Sequence, residues 1–108
     1  GRKRGEVDAV ICWLTGYSAR ALADLDRLFE FLAAVEPTAA VDAAEVIVDA
    51  IRVLKRHPHI GRPVRGRLRE LVISYGRTGY VALYRVSPRR DRIEVLAIRH
   101  QREAGYHP

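Results

Sequence analysis

The sequence predicts an α+β domain in the order β-α-α-β-β-β, with an antiparallel sheet packed against a helical hairpin. Three observations carry this reading. Two successive segments place apolar residues at helical spacing, three later runs are strand-like and separated by turns of hairpin length, and one short β-branched run precedes the helices. With 108 residues, 48% of them hydrophobic, the chain has material for one core and not for a second.

Each element follows from local chemistry. Residues 1 to 9, GRKRGEVDA, mix charge without periodicity and are expected to be a disordered leader or an expression remnant, which leaves 10 to 108 as the single domain. The run Val10 to Tyr17, VICWLTGY, reads as the first strand, with Gly16 at a bulge or its end and Cys12 buried within it. Ser18 offers an N-cap to a helix whose apolar face is Leu22, Leu25, Phe29 and Leu32, ending near Val35. Glu36-Pro37-Thr38 breaks that helix and opens a second one, where Ala40, Ala44, Ile47, Ile51 and Leu54 keep the spacing as far as Arg56. The segment 57 to 66, HPHIGRPVRG, holds two prolines and two glycines and is expected to be a loop.

Three strands complete the domain: Leu68 to Tyr75, Tyr80 to Val86, and Arg92 to Arg99. Gly76 to Gly79 and Ser87 to Asp91 join them as a meander. One plausible inward-facing set is Leu71, Ile73, Val81, Leu83, Val95 and Ala97, although the opposite positions are apolar too. Tyr80 and Tyr84 share a strand face, which suits sheet packing or base stacking.

Charge narrows the function classes. Of 19 basic residues 17 are Arg, and the net charge of +6 is concentrated in residues 57 to 108, which carry +7. Forked arginines in excess point to a polyanionic partner, either nucleic acid or an acidic protein segment. No apolar run approaches the length of a membrane span and the lone Cys12 has no internal disulfide partner, so a cytoplasmic protein without membrane contact is expected. The pair His57 and His59 lacks a Cys or acidic partner at ligand spacing, and the glycines match neither a P-loop nor a dinucleotide fingerprint. Neither metal nor cofactor is expected.

Several pieces in fixed order then resemble a known family. They are Ala21-Leu22-Ala23-Asp24-Leu25, Pro58 with Gly61-Arg62, Leu68-Arg69-Glu70-Leu71, Gly79-Tyr80 through Tyr84-Arg85-Val86, and Val95-Leu96-Ala97-Ile98-Arg99-His100-Gln101-Arg102-Glu103. From residue 10 onward the chain resembles the RelE/ParE superfamily of toxins from bacterial type II toxin-antitoxin systems, closer to the ParE-like branch. The resemblance implies a twisted antiparallel sheet on a helical hairpin and a hetero-oligomer with an antitoxin whose acidic segment folds on binding. It also implies one of two activities. RelE-like members resemble ribosome-dependent mRNA endonucleases, whereas ParE-like members resemble poisons of DNA gyrase that act by binding.

Cutting RNA without a metal requires a group to activate the 2′-hydroxyl, a proton donor and cations on the phosphate. At the positions matching the basic residues of RelE-like enzymes this chain has Val72, Ser74 and Val81, so the resemblance favours plasmid-stabilising gyrase poisoning. What remains for an endonuclease is Arg99, His100, Arg102 and Tyr106, although His100 and Arg102 equally suit a turn paired with Glu103. Arg62, Arg65, Arg67 and Arg69, with Arg85, Arg99, His100 and Arg102, are the candidates for binding target or antitoxin, the loop arginines alternatively being only solvated. A non-toxic homologue that binds its antitoxin is the third reading.

Overall fold

The computed structural model describes residues 14–103, 105 and 106; the expected leader, Cys12 and the beginning of the first strand lie outside them. The order is β1 (Leu14–Tyr17), α1 (Ala19–Ala33), α2 (Pro37–Arg52), a 3-10 turn (Val53–Lys55), β2 (Arg62–Arg65), β3 (Leu68–Tyr75), β4 (Thr78–Ser87), a second 3-10 turn (Pro88–Arg90) and β5 (Arg92–His100). The sheet order is β1-β5-β4-β3-β2.

Two differences from the sequence reading stand out. The sheet is mixed, because β1 pairs with β5 in parallel, Leu14 opposite Arg92. The helical hairpin carries the chain from β1 at one edge of the sheet to β2 at the other, and three antiparallel pairings then bring β5 back beside β1 in the same direction. The expected loop also contains a fifth strand: β2 pairs with β3 as an edge, and Pro63 is tolerated there because an edge residue need not donate to a neighbour. The β2–β3 and β3–β4 hairpins turn on Gly-Arg, at Gly66 (φ 55°) and Gly76 (φ 60°), the left-handed conformation glycine adopts without strain.

The helices close the core as the spacing requires, but α1 is rotated. Ala21, Asp24 and Leu28 face inward, while Leu22 and Phe29, expected inside, are exposed. The cause is a bulge in β5. Tyr84 pairs with Val95 but Leu83 with Ala97, so the extra residue Leu96 interrupts the ladder. Helix α1 satisfies what the bulge frees: Ser18 Oγ donates to Leu96 O at 2.9 Å while accepting from Ala21 N, and Asp24 Oδ2 accepts from Ile98 N at 2.8 Å. In α2, Ala40, Ala43, Ile47 and Ile51 are buried and Leu54 follows in the 3-10 turn, so the regular helix stops at Arg52, short of Arg56.

The expected facing is reversed in part, at Ala97 by the bulge and at Val81 and Leu83 by the β3–β4 register, which sets Ala82 and Tyr80 opposite Leu71 and Ile73. The core cluster takes Ile73 from β3, Tyr80, Ala82, Tyr84 and Val86 from β4, and Ile93, Val95 and Ile98 from β5. Val81, Leu83 and Ala97 lie on the reverse face, where Val81 and Ala97 are nonetheless buried. The reverse face is therefore shielded locally at these two positions, while Val72 on it is 47% exposed.

Candidate functional site

Strand alternation divides the candidate residues between the two faces of the sheet. On the reverse face the register aligns Arg62 with Glu70, Glu70 with Leu83, Val72 with Val81, Val81 with Arg99, and Arg85 with Glu94. Arg62 donates to Glu70 Oε1 through Nη2 at 2.8 Å and Nε at 3.1 Å. Tyr106 also lies on this face. The Tyr106 hydroxyl donates to Glu70 Oε2 at 2.7 Å, and the Arg99 guanidinium lies 5.2 Å from the Tyr106 ring centre. Arg85 pairs with Glu94 beside them.

The electrostatics of this cluster are self-contained. Burial raises the Glu70 carboxyl, but hydrogen bonds from Tyr106 and Arg62 and the charges of Arg62 and Arg99 outweigh it and hold the group below the ordinary carboxylate range. Burial, then the hydrogen bond to Glu70 and its charge, push the Tyr106 hydroxyl well above the ordinary phenol range. Arg99 directs Nη1 at the carbonyls of His100, Gln101 and Glu103, at 3.3, 3.3 and 3.1 Å, so it also braces the turn that delivers Tyr106. Glu70 was quoted from sequence only within the Leu68-Arg69-Glu70-Leu71 motif and was not among the candidate site residues. Its signal was an acidic position alternating with Arg69 on a strand that otherwise carries apolar residues and serine.

His100 lies on the other face, with the helices. Its Nδ1 accepts from Arg102 N at 3.1 Å, which leaves Nε2–H to donate to Thr78 Oγ1 at 2.7 Å, and its ring meets Tyr80 edge-on at 5.4 Å. Its backbone N–H donates to Glu103, whose carboxylate also takes both terminal nitrogens of Arg27. His100 thus closes β5 with its backbone N–H on Glu103, and Arg102 follows in the turn with its own N–H on the His100 ring. Arg99 and Tyr106 on one face and His100 and Arg102 on the other do not form one constellation.

His100 instead lines a groove of about 640 Å³ whose walls include Leu28, Phe31, Leu32, Tyr75 and Tyr80, with Arg102 at its mouth. Phe31 is 76% exposed there.

The basic hairpin is a third location. Arg65 and Arg67 are exposed at its tip. Arg69, in contrast, is used internally, donating to His59 O at 3.0 Å and Gly61 O at 2.7 Å. Tyr84, fully buried, accepts from Gly61 N at 2.9 Å and donates to Pro58 O at 2.7 Å. Tyr84 and Tyr80 (5% exposed) pack within the core, so neither presents a ring for base stacking. Among the described residues no group of His, Cys, Asp and Glu is arranged to hold a metal ion, and no helix is long and apolar enough to cross a membrane.

Comparison with known proteins agrees with this architecture. Residues 16–105 match the family model described as the ParE toxin of the type II toxin-antitoxin system parDE. The chain is 38% identical over 84 residues to Toxin RelE3 of Caulobacter vibrioides, covering 78% of this chain and 89% of that protein. It is 35% identical over 69 residues to Toxin RelE1 of the same organism, covering 64% and 74%. Among solved structures, the chromosomal ParDE system of P. aeruginosa superposes with a TM-score of 0.68 at 24% identity, covering 82% of this chain and 96% of that one. The RelBE2 toxin-antitoxin complex of Mycobacterium tuberculosis gives 0.56 at 22% identity, covering 89% and 99%.

Proposed function

We propose, from the premise that the chain belongs to the ParE toxin family of type II toxin-antitoxin systems, that it inhibits growth by binding and poisoning DNA gyrase and does no chemistry of its own. One observation carries this reading: the centre of the reverse face is the cross-strand pair Val72–Val81 with Ser74 beside it. None of these side chains ionises near neutral pH, so these three positions supply neither a proton acceptor nor a cation for a scissile phosphate. The groups around it are committed, with Tyr106 pushed away from deprotonation and Glu70 held by Arg62 and Tyr106.

A cognate antitoxin would neutralise the toxin. The groove beside His100 suits an amphipathic segment, with apolar side chains against Phe31, Leu32 and Tyr75 and a carboxylate toward Arg102. The test is DNA supercoiling by purified gyrase with increasing toxin. Inhibition that antitoxin reverses is the expected result, and activity unchanged at concentrations that saturate the antitoxin overturns the proposal.

A second reading, ribosome-dependent mRNA cleavage, is favoured by the RelE names of the curated relatives and by the contact of Arg99 with Tyr106. Cleavage of messages on translating ribosomes that survives His100→Ala but not Arg99→Ala would establish it, because only Arg99 lies on the open sheet face.

A further inference from the structure

Strand pairing brings two turns to one end of the sheet. Leu68 lies opposite both Arg65 and Arg85, and Ser87 lies opposite Arg92, so the β2–β3 turn at Gly66-Arg67 and the 3-10 turn Pro88–Arg90 stand side by side, at the far end of the strands from the groove beside His100. Arg65 and Arg67 flank one tip, Arg89 and Arg90 form the other, and Arg92 follows at the start of β5; all five are exposed. Among the described residues no carboxylate pairs with any of them, and Asp91 is the single acidic residue in either turn. Elsewhere arginines are engaged: Arg27, Arg52, Arg62 and Arg85 each hold a carboxylate, and Arg69 and Arg99 hold backbone carbonyls. The free positive charge of the C-terminal half therefore gathers mainly at this rim.

The two tips sit two strands apart in the order β5-β4-β3-β2, about 10 Å at the ordinary interstrand spacing. The major groove of B-form DNA is about 12 Å wide, so each tip can meet one of the two backbones that border it. A single strand offers one line of phosphates, and the major groove of an A-form RNA duplex is narrower. Neither the two turns nor the strand ends that open onto them contain an aromatic residue, so the rim has no ring on which an unpaired base could stack. Arginine at all five positions suits forked contacts to phosphate oxygens. We propose that this rim is a docking surface for duplex DNA, with one turn on each backbone of a groove and no base edge read. The choice of DNA rests on the reading of a toxin that acts on gyrase, and the rim adds a contact to the DNA that such a target carries.

The experiment is binding of a labelled DNA duplex of two helical turns to the full chain across a salt series, beside duplex RNA and single-stranded DNA of the same sequence, with polyglutamate as a competitor. Arg67→Gln removes a cation from one tip and Arg89→Gln from the other. Arg77→Gln makes the same change of charge in the Gly76-Arg77 turn, at the opposite end of the same sheet, and is the control. All three side chains are exposed and none forms an ion pair among the described residues, so the urea midpoint should not move in any variant.

Each tip variant should bind duplex DNA about fivefold more weakly and flatten the log–log salt slope by about 0.9, and the double variant should lose about 25-fold and about 1.8 in slope, against about twofold or less in Arg77→Gln. Duplex RNA and the single strand should bind the native chain more weakly and respond less to the tip substitutions. An equal loss in Arg77→Gln, a loss at one tip only, equal affinity for duplex RNA or the single strand, or displacement by polyglutamate as readily as by unlabelled duplex overturns the proposal. The assay contains neither gyrase nor antitoxin, so its failure leaves the proposed target standing, whereas duplex binding by a chain that leaves supercoiling unchanged refutes the target and not the rim.

Discussion

Replacing Tyr84 by phenylalanine isolates the contact that positions the segment from Pro58 to Arg62. The ring stays in the core, so no sizeable cavity forms, but the hydroxyl that accepts from Gly61 N at 2.9 Å and donates to Pro58 O at 2.7 Å is lost. Tyr84 is 0% exposed, and Gly61 and Pro58 are buried with it. Each buried polar group left without a partner costs about 1–3 kcal/mol, and part of the sum returns because the hydroxyl no longer needs to be desolvated, leaving about 2–3 kcal/mol. For a domain near this length that corresponds to a fall in Tm of roughly 8–20 °C. Urea and thermal denaturation followed by circular dichroism measure it, and the dependence on urea should not change because the surface exposed on unfolding is the same. Amide exchange adds a local readout: Gly61 N–H should lose protection beyond the global change. A loss below about 0.5 kcal/mol, or an unchanged Gly61 amide, would refute the assignment of this hydroxyl as the anchor.

Four further outcomes are expected. Asp24→Ala leaves Ile98 N without its acceptor and should lower stability by about 2–3 kcal/mol, with Asp24→Asn recovering part of the loss in the same denaturation assay. Gly61→Ala should cost about 1–3 kcal/mol or more, since a Cβ there would lie 2.6 Å from the Tyr84 hydroxyl and 2.7 Å from Glu70 O. Glu70, whose carboxyl is depressed in the folded chain, contributes stability that is complete above its ordinary value of 4.5 and is lost as pH falls through its lower folded-state value; the difference in urea midpoint between the native sequence and Glu70→Gln should shrink over that range. Phe31→Asp, at a side chain 76% exposed, should leave the urea midpoint within error but weaken antitoxin binding by about tenfold or more in calorimetry.

Most of the architecture was legible because it depends on period and punctuation. The two helices, the three long strands and their turns came from spacing, β-branched runs and glycines. Two of the details that escaped trace to the Leu96 bulge in β5. One inserted residue moves Ala97 to the opposite face from Val95, and nothing in the run Ile93-Glu94-Val95-Leu96-Ala97-Ile98 marks where the alternation slips. The rotation of α1 follows from the same bulge, because Asp24 turns inward to meet Ile98 N, and a charged residue between leucines reads as surface. The edge strand β2 escaped because Pro63 and its flanking glycines signal a loop, a signal that an edge strand also satisfies. The candidate cluster of Arg99, His100, Arg102 and Tyr106 failed to converge for a simpler reason: adjacent strand residues point to opposite faces, and closeness in sequence concealed it.

That separation bears on how one scaffold can serve two activities. The helix-side groove and the reverse face share the strand β5 but use alternate residues, His100 for one and Arg99 for the other. Under the proposed function, antitoxin recognition in the groove and target engagement on the reverse face would change independently, one residue apart, without a change of fold. The two faces are nevertheless joined at the C-terminal turn. Glu103 holds Arg27 and the His100 backbone on the helix side, while Arg99 holds the carbonyls of the same turn and stacks on Tyr106 on the other. A ligand in the groove that pulled Arg27 away from Glu103 would loosen the turn that delivers Tyr106 to Glu70. Arg27→Ala should therefore mimic such a ligand, raising the amide exchange of residues 100–103 while leaving that of β3 and β4 unchanged. If exchange in the turn is unaltered, the two faces are mechanically independent and the turn is only a link in the chain.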